Sequence, residues 1–206
     1  MYLPPHYATN DGEAREIVRS GRAADFVTAT ESGPVVSFLP YVFDEAGGRL
    51  LAHFARGNQH WKERALGCST AIIHRPHGYV SADWYPSTRE TGGSGPTWNY
   101  VVAHARGDIV IHDDPQWAIE SIRHLIDVNE ADLGSSWSLD DVSEDYLRKR
   151  VRGVVAFEFV IDTIEAKVKL SQNKPQQDVD SVIAHLRQEG SAVADDMQRH
   201  YGAGQQ

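Results

Sequence analysis

FVTATESGPVVSFLPYVFDEAGGRLLAHFA, at residues 26–55, contains three stretches that are rich in β-branched and aromatic side chains. Turn-forming residues separate these stretches, with ESGP at 31–34 and a glycine pair at 47–48. This alternation is typical of antiparallel hairpins, and it predicts a β-meander of three strands. Pro40 has no N–H to donate to a neighbouring strand, which predicts a sheet edge or a bulge at that position. The predicted strands lie at 26–30, 35–43 and 49–55.

The rest of the chain continues with short strand-forming segments. They lie at 69–74, 79–82, 98–104, 108–111, 153–163 and 165–172. A polar, glycine-rich stretch at 87–96 predicts a surface loop. Many short strands with a few peripheral helices predict a mainly β fold, a closed or nearly closed antiparallel barrel, because closure leaves no exposed strand edges.

Helices are predicted where capping residues precede an apolar periodicity. Asn10 and Glu13 have the spacing of a capping box, and Asp114-Pro115 has the order of a cap and a first-turn proline. Other predicted helices lie at 58–66, at 140–150 and from Pro175 onward. We expect one barrel domain at residues 1–174, and a polar helical extension at 175–206 that packs on or beside it.

Composition excludes several classes of protein. The 206 residues are 41% hydrophobic and 24% charged, enough for a folded core. Twenty Lys and Arg against 29 Asp and Glu give a net charge of −9, which argues against binding a polyanion by bulk charge. The single cysteine, Cys68, excludes an intramolecular disulfide and fits a reducing cytoplasm. The opening MYLPPHYATN lacks the basic and apolar regions of a secretory signal.

Several motifs of known chemistry are absent from the sequence. It contains no G-x-S-x-G, Walker or G-x-G-x-x-G motif, and no convincing helix-turn-helix. His74 and His77 have no further ligands nearby, so we expect no metal site. Cys68 has no His/Asn framework around it, which favours a small core residue over a nucleophile.

HFARGNQHWK, at residues 53–62, is the first candidate binding segment. Arg56 and Lys62 supply positive charge, and Asn58 occupies a helix-capping position where free backbone N–H groups point outward. Such an arrangement suits a phosphate. The alternative, which spacing alone favours, is a solvated basic turn beside a helix cap.

GPTWNYVVAH, at residues 95–104, is the second candidate segment. Trp98 offers an aromatic wall and Asn99 offers amide donors and acceptors, as a flat heteroaromatic ligand requires. The alternative is a core tryptophan beside a turn asparagine. GYVSADWY, at 78–85, is either an aromatic dimer surface or a half-buried strand.

KVKLSQNK, at residues 167–174, is the third candidate segment. Ser171, Gln172 and Asn173 are short-range hydrogen-bonding residues between lysines, and they could close one side of a polar ligand. The alternative, favoured by the sequence alone, is a strand end that enters a turn before Pro175.

Five segments in a fixed order carry a resemblance to a known family. They are MYLPPHY at 1–7, HFARGNQHWK at 53–62, YVSADWY at 79–85, PTWNYVVAHARG at 96–107, and GVVAFEFVID at 153–162 followed by KVKLSQNKP at 167–175. Together they resemble the PaiB family of FMN-binding negative transcriptional regulators. The resemblance extends from Met1 to about Leu186.

The resemblance implies a split β-barrel like that of pyridoxamine-phosphate oxidases and flavin reductases. It also implies a homodimer with two FMN molecules between the subunits. Residues near the phosphate would be His53, Arg56, Asn58 and Lys62. Residues near the isoalloxazine would be Thr97, Trp98 and Asn99. The residues Lys169, Ser171, Gln172 and Asn173 would reach in from the other subunit.

Three functions follow as hypotheses. The first is a cytoplasmic FMN-binding negative regulator, with DNA as a candidate partner whose direct binding the charge argues against. The second is an FMN-dependent oxidoreductase, for which no catalytic residue stands out. The third is a haem-binding split barrel, indicated only by His53, His60 and His104.

Overall fold

The structure, a computed structural model, describes residues 1–202, without the side chains of residues 89–91. Six strands form one closed barrel in the order β1-β2-β3-β6-β5-β4. They are β1 (Ala23–Thr30), β2 (Gly33–Asp44), β3 (Arg49–Ala55), β4 (Ser69–Val80), β5 (Thr97–His112) and β6 (Val154–Lys169). The predicted mainly β barrel with peripheral helices is confirmed.

The meander at 26–55 folds as predicted, because β1, β2 and β3 pair in sequence order and antiparallel. The edge position expected at Pro40 is confirmed locally, because Pro40 has a strand partner on one side only. Pro40 lies opposite Ala23 of β1, and pairing of β2 with β3 begins only at the next residue, where Tyr41 lies opposite Ala52. A strand can change neighbours at this point without needing an N–H donor from proline.

Three pairs of predicted short strands are single long strands. Pro76 and Gly78 do not interrupt β4, Gly107 does not interrupt β5, and β6 continues through Thr163. At Gly107 a Cβ atom would lie 1.9 Å from the carbonyl oxygen of Val160. Gly107 is therefore required by the close approach of another strand's backbone and does not mark a turn.

Helices surround the strands. They are α1 (Asp11–Ser20), α2 (Pro86–Thr91), α3 (Pro115–Leu133), α4 (Glu144–Val151), α5 (Gln176–Gln188) and α6 (Val193–Gly202). The capping box before α1 is confirmed, since Asn10 N–H donates to Glu13 and Glu13 N–H donates to Asn10 Oδ1. Asp114 caps α3 by accepting from Trp117 N–H.

Two predictions of local structure are wrong. The helix expected at 58–66 is a 3₁₀ helix of four residues, Gln59–Lys62. The loop expected at 87–96 begins with α2, because Pro86 stands in its first turn, where a missing N–H costs nothing. The last four residues of the extension expected at 175–206 lie outside the described residues, and its domain boundary stays a prediction.

The chain divides into two compact units. The first consists of Met1–Ala14, His74–Ala103 and the part from Glu165 onward. The second consists of Arg15–Ile73 and His104–Ile164. No helix in residues 1–202 is long and apolar enough to cross a membrane.

Each unit has its own apolar core. In the second unit the rings of Phe54 and Phe157 stack at 4.4 Å, and Phe26 packs edge-on against Phe157 at 5.1 Å. In the first unit, buried side chains of α5 and α6 include Leu186 and Met197. These cores fix the strand ends from which the candidate site residues project.

Candidate functional site

Residues 53–62 form an elbow in the second unit, where β3 ends and the 3₁₀ helix begins. Arg56 is half-buried there, and its guanidinium makes several hydrogen bonds within the protein. Its Nε donates to Arg152 O at 2.8 Å, and its Nη2 donates to Val154 O at 2.9 Å and to Asp113 Oδ1 at 2.6 Å. The hydrogen bond from Arg56 lowers the pKa of Asp113. Arg56 therefore ties the end of β3 to the start of β6 and already holds a carboxylate.

A buried chain of polar side chains supports the elbow. Asn58 Oδ1 accepts from His60 N–H, and Asn58 Nδ2 donates to Ser37 Oγ at 3.0 Å. The buried His60 ring bonds Ser37 Oγ through Nδ1 and Thr28 Oγ1 through Nε2, both at 2.9 Å. Thr28 Oγ1 lies 2.7 Å from Ser69 Oγ. Burial lowers the pKa of His60, so the ring is held neutral and in one orientation.

The other elbow residues differ in how they are satisfied. Lys62 is exposed, and its Nζ lies 5.1 Å from the Trp61 ring centroid. His53 is half-buried, and its Nδ1 is buried without a hydrogen-bond partner. Burial lowers the pKa of His53, so the ring is neutral near pH 7. Lys62 and His53 thus retain unused capacity to bind a ligand.

A cavity of about 220 Å³ lies beside Arg56. Its walls carry both signs of charge, with Arg56 and Arg152 against Asp113 and Asp114. A second cavity, of about 210 Å³, lies against the buried polar chain, with Glu63 and Asp108 among its lining residues. The elbow therefore borders two cavities, one of mixed charge and one with acidic residues.

The third candidate segment and residues 95–103 of the second lie in the first unit. Trp98 is 51% exposed, and its ring lies 5.8 Å from that of His77 and 5.9 Å from that of Tyr79. Asn99 is fully buried, and its amide bonds Ser171 Oγ at 3.0 Å. Only Trp98 of the pair Trp98–Asn99 thus offers its side chain to a ligand.

The segment after β6 is a tight, self-bonded turn. Ser171 adopts a left-handed conformation with φ of 71°, and its hydroxyl faces Asn99. Gln172 makes two hydrogen bonds to the backbone that precedes it, accepting from Leu170 N–H and donating to Val168 O. Asn173 accepts from the hydroxyl of Tyr7 at 3.4 Å. Ser171 and Gln172 shape this turn, and Asn173 is the exposed member.

Lys169 joins the second and third candidate segments. Its ammonium donates to Thr97 Oγ1 at 2.5 Å and to the carbonyl oxygen of Trp98. The structure thus brings together Thr97, Trp98 and Lys169 on one side, and Asn99 with Ser171 beneath them. Within the second unit, the structure brings together Arg56, Asn58 and Lys62 in the elbow at residues 53–62.

Residues 1–163 match the sequence model of the family described as "Putative FMN-binding domain". The chain belongs to this family. The FMN-binding domain family agrees with the resemblance to PaiB: the chain is 29% identical over 201 residues to the Bacillus subtilis "Protease synthase and sporulation protein PAI 2". That match covers 96% of this chain and 94% of the relative. A flavin is the class of cofactor that this membership supports.

Solved structures confirm the split-barrel fold of these flavin-binding domains. The flavocytochrome Anf3 of Azotobacter vinelandii is similar with a TM-score of 0.58 at 15% identity, over 79% of this chain and 69% of that chain. A FAD and heme binding protein of Mycobacterium smegmatis is similar with a TM-score of 0.52 at 14% identity, over 84% and 78%. At such identities the likeness concerns the fold.

Sequence reasoning missed residues that contact the candidate segments from far along the chain. Asp113 pairs with Arg56 across 57 positions, and no local pattern signals that contact. Lys167 was also missed, although a signal existed. Lys167 and Lys169 are two positions apart on a strand, so a period of two places them on one face. Among residues 1–202, no group of three or more His, Cys, Asp or Glu is arranged to hold a metal.

Proposed function

We propose that this protein binds FMN and acts, in its FMN-bound form, as a negative transcriptional regulator. The observation that carries the proposal is the family match over residues 1–163, because it covers the elbow and the Thr97–Trp98 segment. The resemblance to the PaiB family supplies the regulatory role. The net charge of −9 favours regulation that does not depend on wide contact with DNA.

The residues of the elbow fit the phosphate end of FMN in charge. Lys62 is an exposed cation with no carboxylate partner described, and Arg56 is held in place by two backbone carbonyls. Charge-assisted hydrogen bonds to a phosphate contribute about 1.5–3 kcal/mol each. The orphaned Nδ1 of His53 is a further polar atom near this end.

The residues of the first unit fit the ring end. A flat isoalloxazine matches the exposed indole of Trp98, and Thr97 and Lys169 offer polar atoms beside it. Asn99 and Ser171 hydrogen-bond to each other next to this segment, Gln172 bonds the backbone of the turn after β6, and Asn173 is exposed in that turn. When bound, a flavin supplies electron-transfer chemistry, while the protein binds and orients it.

The proposed active form is a homodimer with FMN between the subunits. Large exposed apolar side chains support this proposal. On β2, Val36 is 56% exposed and Phe38 is 69% exposed, and Tyr79 and Trp98 form an exposed aromatic pair. Exposed apolar groups of this size are more common at protein contacts than on free surfaces.

The double variant Arg56→Ala, Lys62→Ala tests the proposal. We expect it to bind FMN at least about tenfold more weakly than the wild type, since each lost contact contributes more than the 1.4 kcal/mol that equals a factor of ten. The measurement is a fluorescence titration of FMN with purified protein. In cells, we expect deletion of the gene to raise the level of some transcripts. Reintroducing the wild-type gene should lower those transcripts again, and reintroducing the double variant should not.

Controls separate binding from folding. Cys68→Ser should leave FMN affinity unchanged, and thermal melts should show that the double variant is folded despite losing the bonds of Arg56 to Arg152 and Val154. Equal FMN affinity in the folded double variant and the wild type would place the phosphate elsewhere. Unchanged transcripts after deletion, together with bleaching of bound flavin by NADPH, would replace the regulatory role with an oxidoreductase.

A further inference from the structure

Two lysines on the last strand have no carboxylate partner in the part of the chain that the structure describes. Lys167 and Lys169 lie on β6, and no ion pair involves either of them among residues 1–202. Lys167 is only 9% exposed. A buried ammonium normally pairs with an anion, because removing its hydration costs several kcal/mol.

Two partly buried arginines follow that rule. Arg49 pairs with Asp44 at 2.8 Å and with Glu158 at 2.5 Å. Arg75 pairs with the buried Asp196 at 2.7 Å. The two lysines depart from this pattern, although Lys167 is more buried than Arg49 or Arg75.

The groups described in contact with the Lys167 ammonium are neutral. Its Nζ donates to the backbone oxygen of Tyr2 at 3.3 Å. The ring centroids of Tyr2, Tyr7 and Tyr100 lie 5.6, 5.8 and 5.5 Å from this nitrogen. Ring faces attract a cation, but they do not cancel its charge. The net positive charge of the site therefore remains.

Lys169 adds a second charge on the same side. Its Nζ lies 6.0 Å from the Tyr7 centroid and 5.8 Å from the Tyr100 centroid, so both lysines share these two rings. Thr97 and the carbonyl oxygen of Trp98 hold the ammonium of Lys169 in one place. Burial and the charge of Lys167 lower the pKa of Lys169. Lys167 therefore makes the protonated state of Lys169 more costly.

We propose that Lys167 and Lys169 form a binding site for a phosphoryl group, with Lys169 in contact and Lys167 acting through its charge. A doubly charged anion would balance the two ammonium groups, and the hydroxyl of Thr97 can donate to it. The phosphoryl group belongs either to FMN or to a separate phosphorylated ligand. The site stands whether or not the protein retains a flavin. If the phosphoryl group is that of FMN, Lys169 binds the phosphate end and not the ring end given under the proposed function.

Titration of the full chain with inorganic phosphate tests the site. Isothermal titration is done at constant ionic strength in a buffer free of other oxyanions. We expect saturable binding to one site in the wild type, and binding at least about tenfold weaker in Lys169→Gln. Lys174→Gln is the matched control, because Lys174 bonds Ser94 and faces Tyr85 in the same unit. It should bind phosphate as the wild type does.

Variants of Lys167 test the role of its charge. Lys167→Arg should retain binding, and Lys167→Met should weaken it. If Lys167→Met does not fold, Lys169→Gln decides alone. The inference is overturned if the wild type shows no saturable binding, or if Lys169→Gln binds phosphate as tightly as the wild type.

Competition with FMN identifies the source of the phosphoryl group. If FMN displaces phosphate, and Arg56→Ala with Lys62→Ala leaves FMN affinity unchanged, the lysine pair binds the cofactor's phosphate. The lysine site would then be supported, and the phosphate position under the proposed function would be wrong. If FMN and phosphate bind together, the site takes a separate ligand.

Discussion

The elbow of the second unit and the lysine pair of the first unit treat positive charge in opposite ways. At the elbow, Arg56 donates to Asp113 and to two backbone carbonyls, so its guanidinium is almost fully used. At the lysine pair, the partners of Lys167 and Lys169 within the described part of the chain are a hydroxyl, backbone carbonyls and aromatic rings. Arg56 is thus neutralised by Asp113 within the fold, whereas the lysine pair keeps its charge.

The difference follows from the two side chains. A guanidinium presents five donors in a rigid fork, so it serves well as a structural clamp between a carboxylate and backbone oxygens. An ammonium is compact and more strongly hydrated, so leaving it half-buried without an anion is costly. Arg56 belongs to the basic motif that is easiest to see in the sequence, yet its role is the more structural one. The pair Lys167–Lys169 is harder to see in the sequence, and it has the larger uncompensated charge.

The largest effect is expected from His60→Ala, which asks whether the elbow is rigid. The change removes the bonds of the buried ring to Ser37 and Thr28 and leaves a cavity. We expect the free energy of unfolding to fall by about 3 kcal/mol. Chemical denaturation at pH 7.5 measures it, with the exposed His124→Ala as control. A loss no larger than that of His124→Ala would show that the buried polar chain does not hold the elbow.

Where local signals decide the structure, the sequence predicts it well. The strand at 49–55 has the bounds that the apolar run and the preceding glycine pair predict. Gly107 misleads, because it resembles a turn residue while its small size serves contact with Val160. Whether a glycine turns the chain or admits another backbone depends on the partner strand, which no local pattern shows.

The same limit applies to the candidate sites. Arg56 could be identified as a cation near a capping residue, but its partner Asp113 is brought to it only by the sheet. Asn99 could be identified as a polar residue beside Trp98, but its burial depends on Ser171, which lies 72 positions away. The residue types near a ligand are visible in the sequence, and whether they are free to bind it is decided by distant contacts.

A smaller effect is expected from Lys169→Gln, measured as stability against pH. Burial and Lys167 lower the pKa of Lys169 below its usual 10.5 in the folded protein. The unfolded chain therefore binds more protons between the folded pKa and 10.5, and this group's contribution to stability rises with pH across that window. At neutral pH the buried charge of Lys169 destabilises the folded protein. Removing this charge in Lys169→Gln should therefore stabilise the protein, and losing the hydrogen bonds to Thr97 and Trp98 should offset part of that gain.

The signature is the change of that difference with pH. The difference in stability between Lys169→Gln and the wild type should shift in favour of the wild type as pH rises toward 10.5. Phosphate at neutral pH should stabilise the wild type and leave Lys169→Gln nearly unchanged. If this difference in stability does not change with pH, the charges of the two lysines do not destabilise the folded protein.

The smallest effect on stability is expected from Asp113→Asn, which removes the anion that neutralises Arg56. The side chains of Arg56 and Asp113 are 41% and 51% exposed, and ion pairs that water reaches contribute little to folding, so the melting temperature should hardly move. Arg56 keeps its bonds to Arg152 and Val154, so the guanidinium stays in place with its charge uncompensated.

If Arg56 binds the phosphate of FMN, the carboxylate of Asp113 competes with that phosphate, and Asp113→Asn should tighten FMN binding. Asp140→Asn, which breaks the matched pair with Arg123 in the same unit, should leave FMN affinity unchanged. Unaltered FMN binding in Asp113→Asn would make Arg56 a structural clamp and leave the lysine pair as the stronger candidate for the phosphate.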